Sequence, residues 1–271
     1  MCNNHPRRLA AAIRSLGRVA ALAGVLVLTA CGSIEKDPTS KWDAERLYKE
    51  GHSELLSGNW NHAKELFEKL ESRYPFGRYA QQAQIEIAYA EYKQDETADA
   101  LDTIERFLKA NPSHPSVDYV YYLKGLINFT EPPALIGRLV GYKVSERDPK
   151  AMRESFEAFK ELLARFPDSR YAPDARRRLM YLQNALAGHE VRVADYYYRR
   201  GAYLATIERA QGALRDFPGS GAQQEALVLI AQSYHALGLT ELQADAERVL
   251  RLNYPEPVAT KGAAKNSQAT D

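Results

Sequence analysis

The sequence predicts an all-α protein, an α-solenoid in which about five similar helix pairs follow one another. One set of residue classes recurs at the same offsets in two successive segments, which is the signature of a repeat architecture. Five prolines also follow the predicted second helices: Pro75, Pro112, Pro167, Pro218 and Pro255. With 45% apolar and 26% charged residues, the chain has enough apolar side chains to bury a core along most of its length.

The first 30 residues have the features of a secretory signal peptide. Four arginines and no acidic residue come before the apolar run Val19 to Ala30; they are Arg7, Arg8, Arg14 and Arg18. A helix needs roughly 20 apolar residues to cross a bilayer, and this run is shorter. We therefore expect residues 1–30 to be removed on export. No later stretch reaches that length, so no transmembrane segment is expected.

The run ends in Leu28-Thr29-Ala30-Cys31, which resembles the lipobox of bacterial lipoproteins. The resemblance implies that Cys31 becomes the first mature residue and is lipidated. An aspartate after the cysteine commonly retains such proteins in the inner membrane, and this chain has Gly32. We expect an outer-membrane location, with the lipid of Cys31 as the anchor and the protein facing the periplasm. Residues 31–40 would be the lipidated cysteine and a polar tether.

The charge of the mature chain argues against a nucleic-acid partner. Loss of the signal peptide removes four of the 36 basic residues and none of the 35 acidic ones, which leaves 32 against 35 and a net charge of −3. A nucleic-acid binder would carry a basic surface. Cys2, the other cysteine, lies within the signal peptide, so packing and not a disulfide must stabilise the fold.

The first two units carry the repeat most clearly. Residues of the same classes stand at offsets 0, 12, 16 and 24 in both: Gly51, Ala63, Phe67 and Pro75, then Ala88, Ala100, Ile104 and Pro112. This pattern resembles the tetratricopeptide repeat, so the fold class becomes an α-solenoid of about five tetratricopeptide-like helix pairs. Small residues allow paired helices to approach, as expected for Gly51 against Ala63, and the prolines end each second helix.

The third unit requires an insertion. Ser155 and Phe159 precede Pro167 by 12 and 8 residues, but the small first-helix residue, Gly125, lies 18 residues too early. The segment Thr130 to Pro149, rich in proline and glycine, supplies the difference. The insertion is therefore placed at 130–149.

The last two units match less well. In the fourth, Ala194, Thr206 and Ala210 keep their distances from Pro218, and an extra stretch, Ala172 to Ala187, could lengthen the first helix. The fifth has Gln243 and Glu247 where small and aromatic residues are expected, which a terminal unit tolerates because one side faces water. The solenoid is assigned to 41–255, and residues 256–271 to a flexible tail.

Catalytic and ligand-binding motifs are missing from the sequence. The six histidines are scattered, with no H-E-x-x-H pair, and there is no Walker loop, nucleophile elbow or dinucleotide fingerprint. We expect no enzymatic activity, no metal and no cofactor. A periplasmic hydrolase is the alternative from a different class, and activity lost on mutating one acid or histidine would support it.

Tyrosines are conspicuous, especially in Tyr119 to Tyr122 and in Tyr196 to Tyr198. Most such rings pack against neighbouring helices, but those on an open face could form a peptide groove, because tyrosine and arginine are common at binding hot spots. The run Arg176 to Arg178 is by default a solvated helix face. Arg200, at the corner where the long first helix should turn, is a plausible partner contact.

Several longer strings resemble the BamD family, lipoproteins of the outer-membrane β-barrel assembly machinery, from about Trp42 to Pro255. They are Asn59-Trp60, Arg73 to Tyr79 with its Tyr-Pro-Phe-Gly turn, Asn111 to Pro115, Asp118 to Val120, Arg147 to Pro149 and Tyr196 to Tyr203. The resemblance implies a scaffold that binds unfolded outer-membrane proteins and promotes their folding and insertion. Its implied partners are a barrel-forming subunit with periplasmic domains and small accessory lipoproteins.

The same resemblance implies where partners bind. Tyr74 and Gly77 become candidates for binding the aromatic-ending strand of substrates, and Arg200 a candidate for docking the barrel subunit. The family can place an arginine at position 61, where this chain has Asn61, so a charge contact there is not expected. The alternative with the same fold and anchor is an adaptor that organises cell-wall enzymes.

Overall fold

The computed structural model describes residues 37–129 and 149–255. The predicted signal peptide, Cys31, the insertion up to residue 148 and the tail lie outside these ranges. The described residues fall into two units, 37–43 in one and 44–129 with 149–255 in the other. In the described part of the first unit, the amide and hydroxyl groups of Thr39 donate to Asp37 Oδ1 at 2.9 and 2.7 Å, which closes a short turn.

The described part of the second unit consists of helices, without a β-strand, and short turns join consecutive helices on either side of the gap at 130–148. The helices are α1 (Ala44–Leu56), α2 (Trp60–Arg73), α3 (Arg78–Lys93), α4 (Thr97–Ala110), α5 (Val117–Ile127), α6 (Pro149–Arg165), α7 (Ala172–Arg199), α8 (Tyr203–Asp216), α9 (Gln223–Ala236) and α10 (Thr240–Asn253). Each helix contacts the next one along the chain. Three further contacts join the first helices of neighbouring pairs: α1 with α3, α3 with α5, and α7 with α9. Five helix pairs in series confirm the predicted solenoid.

Proline ends the second helices, as the sequence indicated. Tyr74, Asn111 and Phe217 follow α2, α4 and α8 with nearly the same backbone angles, φ of −131° and ψ of 64°, 55° and 60°. Each precedes a proline, whose ring excludes the helical conformation for the residue before it. The repeated turn geometry follows directly from this local steric rule.

The small residues of the repeat make room for aromatic rings. A Cβ atom added to Gly51 would lie 2.8 Å from Phe67 Cε1, and one added to Gly125 would lie 2.5 Å from Phe159 Cε1. At Gly51, the neighbour that excludes a larger side chain is the Phe67 ring. Phe67 and Phe159 are fully buried as a result.

Helix α7 is much longer than the others because it serves two cores. Its first half places Ala175, Leu182 and Leu186 in the apolar cluster built by α3 to α6. Its second half places Val191 and Ala194 in the cluster shared with α8, α9 and α10. The prediction that Ala172 to Ala187 extends the first helix of unit four is confirmed.

The fifth pair replaces apolar contacts with polar ones at the two atypical positions. Gln243 Oε1 lies 3.1 Å from His235 Nδ1, and Gln243 Nε2 donates to Glu247 Oε1 at 2.8 Å. In α10 only Ala246 is buried. The last helix therefore buries little apolar surface of its own against α9.

Candidate functional site

The turn between α2 and α3 contains both predicted substrate-side residues. Tyr74 is 37% exposed, and Phe76, two residues later, is 92% exposed. Gly77 has φ of 108° and ψ of 175°, a conformation that is essentially restricted to glycine. Phe76 is not among the site residues predicted from the sequence, although its position between Pro75 and Gly77 takes it out of either helix. The turn presents an aromatic ring directly to solvent.

A group of tyrosines lies on the first helices of units one and two, beside this turn. The rings of Tyr48 and Tyr79 have centroids 5.4 Å apart, and the ring of His52 stacks on Tyr48 at 5.9 Å. The Tyr48 hydroxyl donates to Glu86 Oε1 at 3.3 Å. Burial, followed by the negative charge of Glu86, raises the pKa of Tyr48 well above its ordinary value.

A second group joins units three and four. The ring of Tyr171 stacks on Tyr122 at 4.8 Å and lies 5.4 Å from Tyr119. The Tyr122 hydroxyl donates to Asp174 Oδ2 at 2.7 Å, and Arg178 Nε donates to the same oxygen at 2.6 Å. These residues hold α5 and α7 together through polar as well as aromatic contacts.

The electrostatics of this second group favour an ionised Asp174. Burial by itself would raise the pKa of Asp174, but hydrogen bonds from Arg178 and Tyr122 outweigh it, so the pKa lies below its ordinary value. Burial and the hydrogen bond to Asp174 raise the pKa of Tyr122. A hollow of about 330 Å³ opens here, lined by Phe129, Asp174, Arg177, Arg178 and Tyr181.

The arginine run is bonded locally. Arg176 donates to the carbonyl oxygen of Pro167 at 3.2 Å, and Arg177 donates to Asp174 Oδ1 at 2.6 Å. Arg178 also donates to Asp174, so all three arginines form hydrogen bonds with nearby acceptors. The run is therefore not a patch of unpaired positive charge.

Arg200 lies at the corner where α7 ends, as the sequence predicted. It caps α7, and its amide donates to the carbonyl of Tyr197 at 3.0 Å. Its guanidinium lies over the ring of Tyr196, 4.9 Å from the centroid. Tyr196 is 48% exposed and Leu204, on α8, is 72% exposed. The corner combines one cation with two exposed apolar groups, and it belongs to a different helix pair from Tyr74 and Gly77.

The described residues give no sign of a metal site. Within 37–129 and 149–255, no three histidine, cysteine, aspartate or glutamate side chains are placed so that they could hold an ion. None of the helices in those ranges has both the length and the apolar character that crossing a membrane requires.

Comparison with known proteins gives matches over most of the chain. The family model "YfiO: Outer membrane lipoprotein" matches residues 40–250. The "Outer membrane protein assembly factor BamD" of Neisseria meningitidis serogroup A is 44% identical over 236 residues, which cover 85% of this chain and 88% of the relative. The protein of the same name from Vibrio cholerae serotype O1 is 38% identical over 234 residues, 86% of this chain and 97% of the relative.

Among solved structures, the crystal structure of MamA protein aligns with 79% of this chain and 97% of its own. The identity is 13% and the TM-score is 0.36.

Proposed function

Because the chain belongs to the BamD (YfiO) family of outer membrane lipoproteins, we propose that it is a non-enzymatic assembly factor for outer membrane proteins. The observation that carries the proposal is the match to curated assembly factors at up to 44% identity over 85% of the chain. The rigid series of helix pairs, with exposed aromatic and cationic groups at two separate corners, is the architecture that a scaffold needs.

Unfolded outer-membrane proteins bind at the first two helix pairs. Support comes from the turn that holds Tyr74 and Gly77, where the exposed ring of Phe76 adds a third group. Extended segments that end in an aromatic residue would lie across this turn and along the tyrosines of α1 and α3. Aromatic side chains lose little conformational entropy on binding, so they suit recognition of a flexible client.

The barrel-forming subunit, through its periplasmic domains, docks at the corner around Arg200. An arginine held over an exposed tyrosine is already ordered, so less entropy is lost when it bonds to a partner. The nearby side chain of Leu204 supplies apolar area. Smaller accessory lipoproteins complete the assembly, and they contact other surfaces.

The outer membrane holds the scaffold through lipid on Cys31. Stable anchoring takes at least two acyl chains, because a single chain gives only reversible binding. The lipobox supports this anchor and a chain that faces the periplasm. Replacing Cys31 by Ser should release the protein from the membrane fraction, and retention of that variant would contradict the lipid anchor.

Site-specific crosslinking tests both binding surfaces. A photocrosslinker at Tyr74 should trap unfolded outer-membrane proteins, and one at Arg200 should trap the barrel-forming subunit. Matched controls are Leu56, which is 74% exposed at the other end of the first hairpin, and the exposed Lys109 of α4. Neither control should give those adducts. Adducts from all four positions alike, or from none, would contradict the two site assignments.

Affinity capture of the lipidated protein tests the wider assignment. Recovery of a barrel-forming outer-membrane subunit is expected. Recovery of cell-wall synthases or hydrolases without any such subunit would instead identify the protein as an adaptor for cell-wall enzymes, which could have the same helix pairs and the same anchor.

A further inference from the structure

Glu86, in the middle of α3, is a largely buried carboxylate that contacts Tyr48 of α1. Its side chain is only 13% exposed. Glu86 Oε1 accepts hydrogen bonds from the Tyr48 hydroxyl at 3.3 Å and from Gln82 Nε2 at 3.2 Å. All the hydrogen bonds of this carboxylate with described residues use Oε1, so Oε2 remains available to a ligand.

No permanent positive charge neutralises Glu86. In the described part of the chain, no lysine or arginine lies within ion-pair distance of it. The nearby side chain that could carry a positive charge is His52, whose Nδ1 is 3.7 Å away, beyond hydrogen-bond distance. The nearest arginine along the chain, Arg78, instead donates to the Tyr79 hydroxyl at 2.9 Å, and its guanidinium lies over the Tyr79 ring, 4.7 Å from the centroid.

Glu190 shows what an internally satisfied carboxylate looks like in this fold. Its side chain is 14% exposed, nearly the same as Glu86, but Arg153 and Arg209 lie 3.4 and 3.1 Å from its two oxygens. A carboxylate removed from water is costly unless a cation compensates it. Glu86 lacks the compensation that Glu190 has, so a cation supplied from outside would stabilise it.

Tyrosines of the two neighbouring first helices lie close to Glu86. Tyr48, on α1, donates its hydroxyl proton to the carboxylate. Toward α5, burial and then the negative charge of Glu86 raise the pKa of Tyr119 far above its ordinary value. Neither tyrosine carries a positive charge, so neither neutralises the carboxylate.

We propose that Glu86, held in place by the Tyr48 hydroxyl, binds the lysine or arginine side chain of an extended peptide lying along the first helices. The proposal rests on the proposed function, because that function supplies the unfolded protein to which the peptide belongs. It adds a rule of recognition: the client segment carries a positive charge at the residue that reaches Glu86. A charged hydrogen bond to Oε2 would provide this recognition.

Peptide binding measures this preference directly. Fluorescent ten-residue peptides of alternating aliphatic and polar residues, ending in phenylalanine, are titrated against the lipidated mature chain in detergent. Lysine, norleucine or glutamate is placed at each alternate position in turn. At one position, the lysine peptide should bind about three- to tenfold more tightly than the norleucine peptide, as expected for one partly desolvated charge pair, and the glutamate peptide should bind least.

Variants then assign the preference to Glu86. Glu86→Gln should bind lysine and norleucine peptides equally, and Glu86→Lys should favour the glutamate peptide. Glu190→Gln, which removes the same charge at the same exposure, should keep the lysine preference. Raising the salt concentration should narrow the difference between the lysine and norleucine peptides in the unchanged protein, so it provides a readout even if a change at Glu86 prevents folding.

The outcomes separate this inference from the proposed function. Equal binding of lysine and norleucine peptides at every position, or an unchanged preference in Glu86→Gln, would overturn the role of Glu86 while leaving client binding intact. Absence of binding by every peptide would overturn client binding at these helices and the role of Glu86 together.

Discussion

The hydroxyl of Ser155 donates a hydrogen bond of 2.7 Å to the carbonyl oxygen of Gly125, a residue 30 positions earlier. Ser155 is fully buried, and Gly125 lies in the last turn of α5, where helix carbonyls lack backbone donors. The bond therefore joins the last turn of α5 to α6. It also places Ser155 beside Gly125, the pairing that their repeat positions predict.

Replacing Ser155 by Ala should destabilise the protein by about 1–3 kcal/mol, because a buried carbonyl loses its donor. The urea midpoint of unfolding measures the change. Thr206 occupies the same repeat position in unit four, but its hydroxyl bonds to Ala202, whose carbonyl already accepts the Thr206 amide. Thr206→Val should therefore cost less. A Ser155→Ala midpoint equal to that of the wild type would show that the hydrogen bond contributes nothing to stability.

Gly125→Ala should also destabilise the third pair, by about 1–3 kcal/mol, because overpacking forces neighbouring groups apart. The new Cβ would lie 2.5 Å from Phe159 Cε1. Adding Phe159→Leu should recover part of the loss, measured by thermal unfolding. In Gly212→Ala the nearest atom is Arg215 Nη2 at 3.9 Å, so that variant should be neutral or slightly more stable. Equal losses in the two glycine variants would exclude the steric explanation.

His114 should make stability depend on pH near neutrality. Burial lowers its pKa below the ordinary value, and its Nδ1 accepts the Ser116 amide at 3.1 Å, which requires an unprotonated nitrogen. In the unfolded chain, His114 binds a proton more readily than in the folded protein. Its contribution to the free energy of unfolding is therefore complete above the pKa of the unfolded state, about 6.5, and is lost as pH falls toward the lower pKa of the folded state. The urea midpoint should fall over this window in the wild type and less in His114→Gln. Parallel curves for the two proteins would contradict the assignment.

Asp174 should contribute at neutral pH and lose its contribution in acid. Its folded pKa lies below the ordinary value, so the stabilisation is present above an unfolded pKa of about 3.9 and disappears as pH falls through the folded pKa. Asp174→Asn should therefore unfold at a lower urea concentration than the wild type at pH 7, with the difference shrinking toward pH 3. Asp216→Asn, which removes a carboxylate that is 44% exposed beside Arg215, should change little. A constant difference across this range would contradict the ionic contribution.

The fold followed from local rules that operate within one helix pair. The proline after Tyr74, Asn111 and Phe217 fixed the ends of the second helices through a steric restriction on the preceding residue. Small residues at fixed offsets located the positions where rings enter between paired helices. Such rules act over short distances along the chain, and therefore the sequence alone predicted five pairs and the long α7.

Features of the candidate site were less accessible from the sequence. A single glutamate on an amphipathic helix ordinarily faces water, and nothing adjacent to Glu86 in the sequence distinguishes it. Its partner Tyr48 is 38 residues earlier. The exposure of Phe76 was likewise not predicted, since an aromatic residue next to a proline can equally be buried, as Phe217 is.

By itself, the sequence determined the class of fold, the order of the helices and the family, because repeat spacing, proline positions and long shared strings are properties of a linear chain. Only the tertiary structure decided which charges are compensated. Glu190 and Glu86 are nearly equally buried, yet two arginines from other helices reach one and no lysine or arginine in the described residues reaches the other. Burial and electrostatic compensation depend on the packing of helices distant in sequence, and no local pattern encodes them.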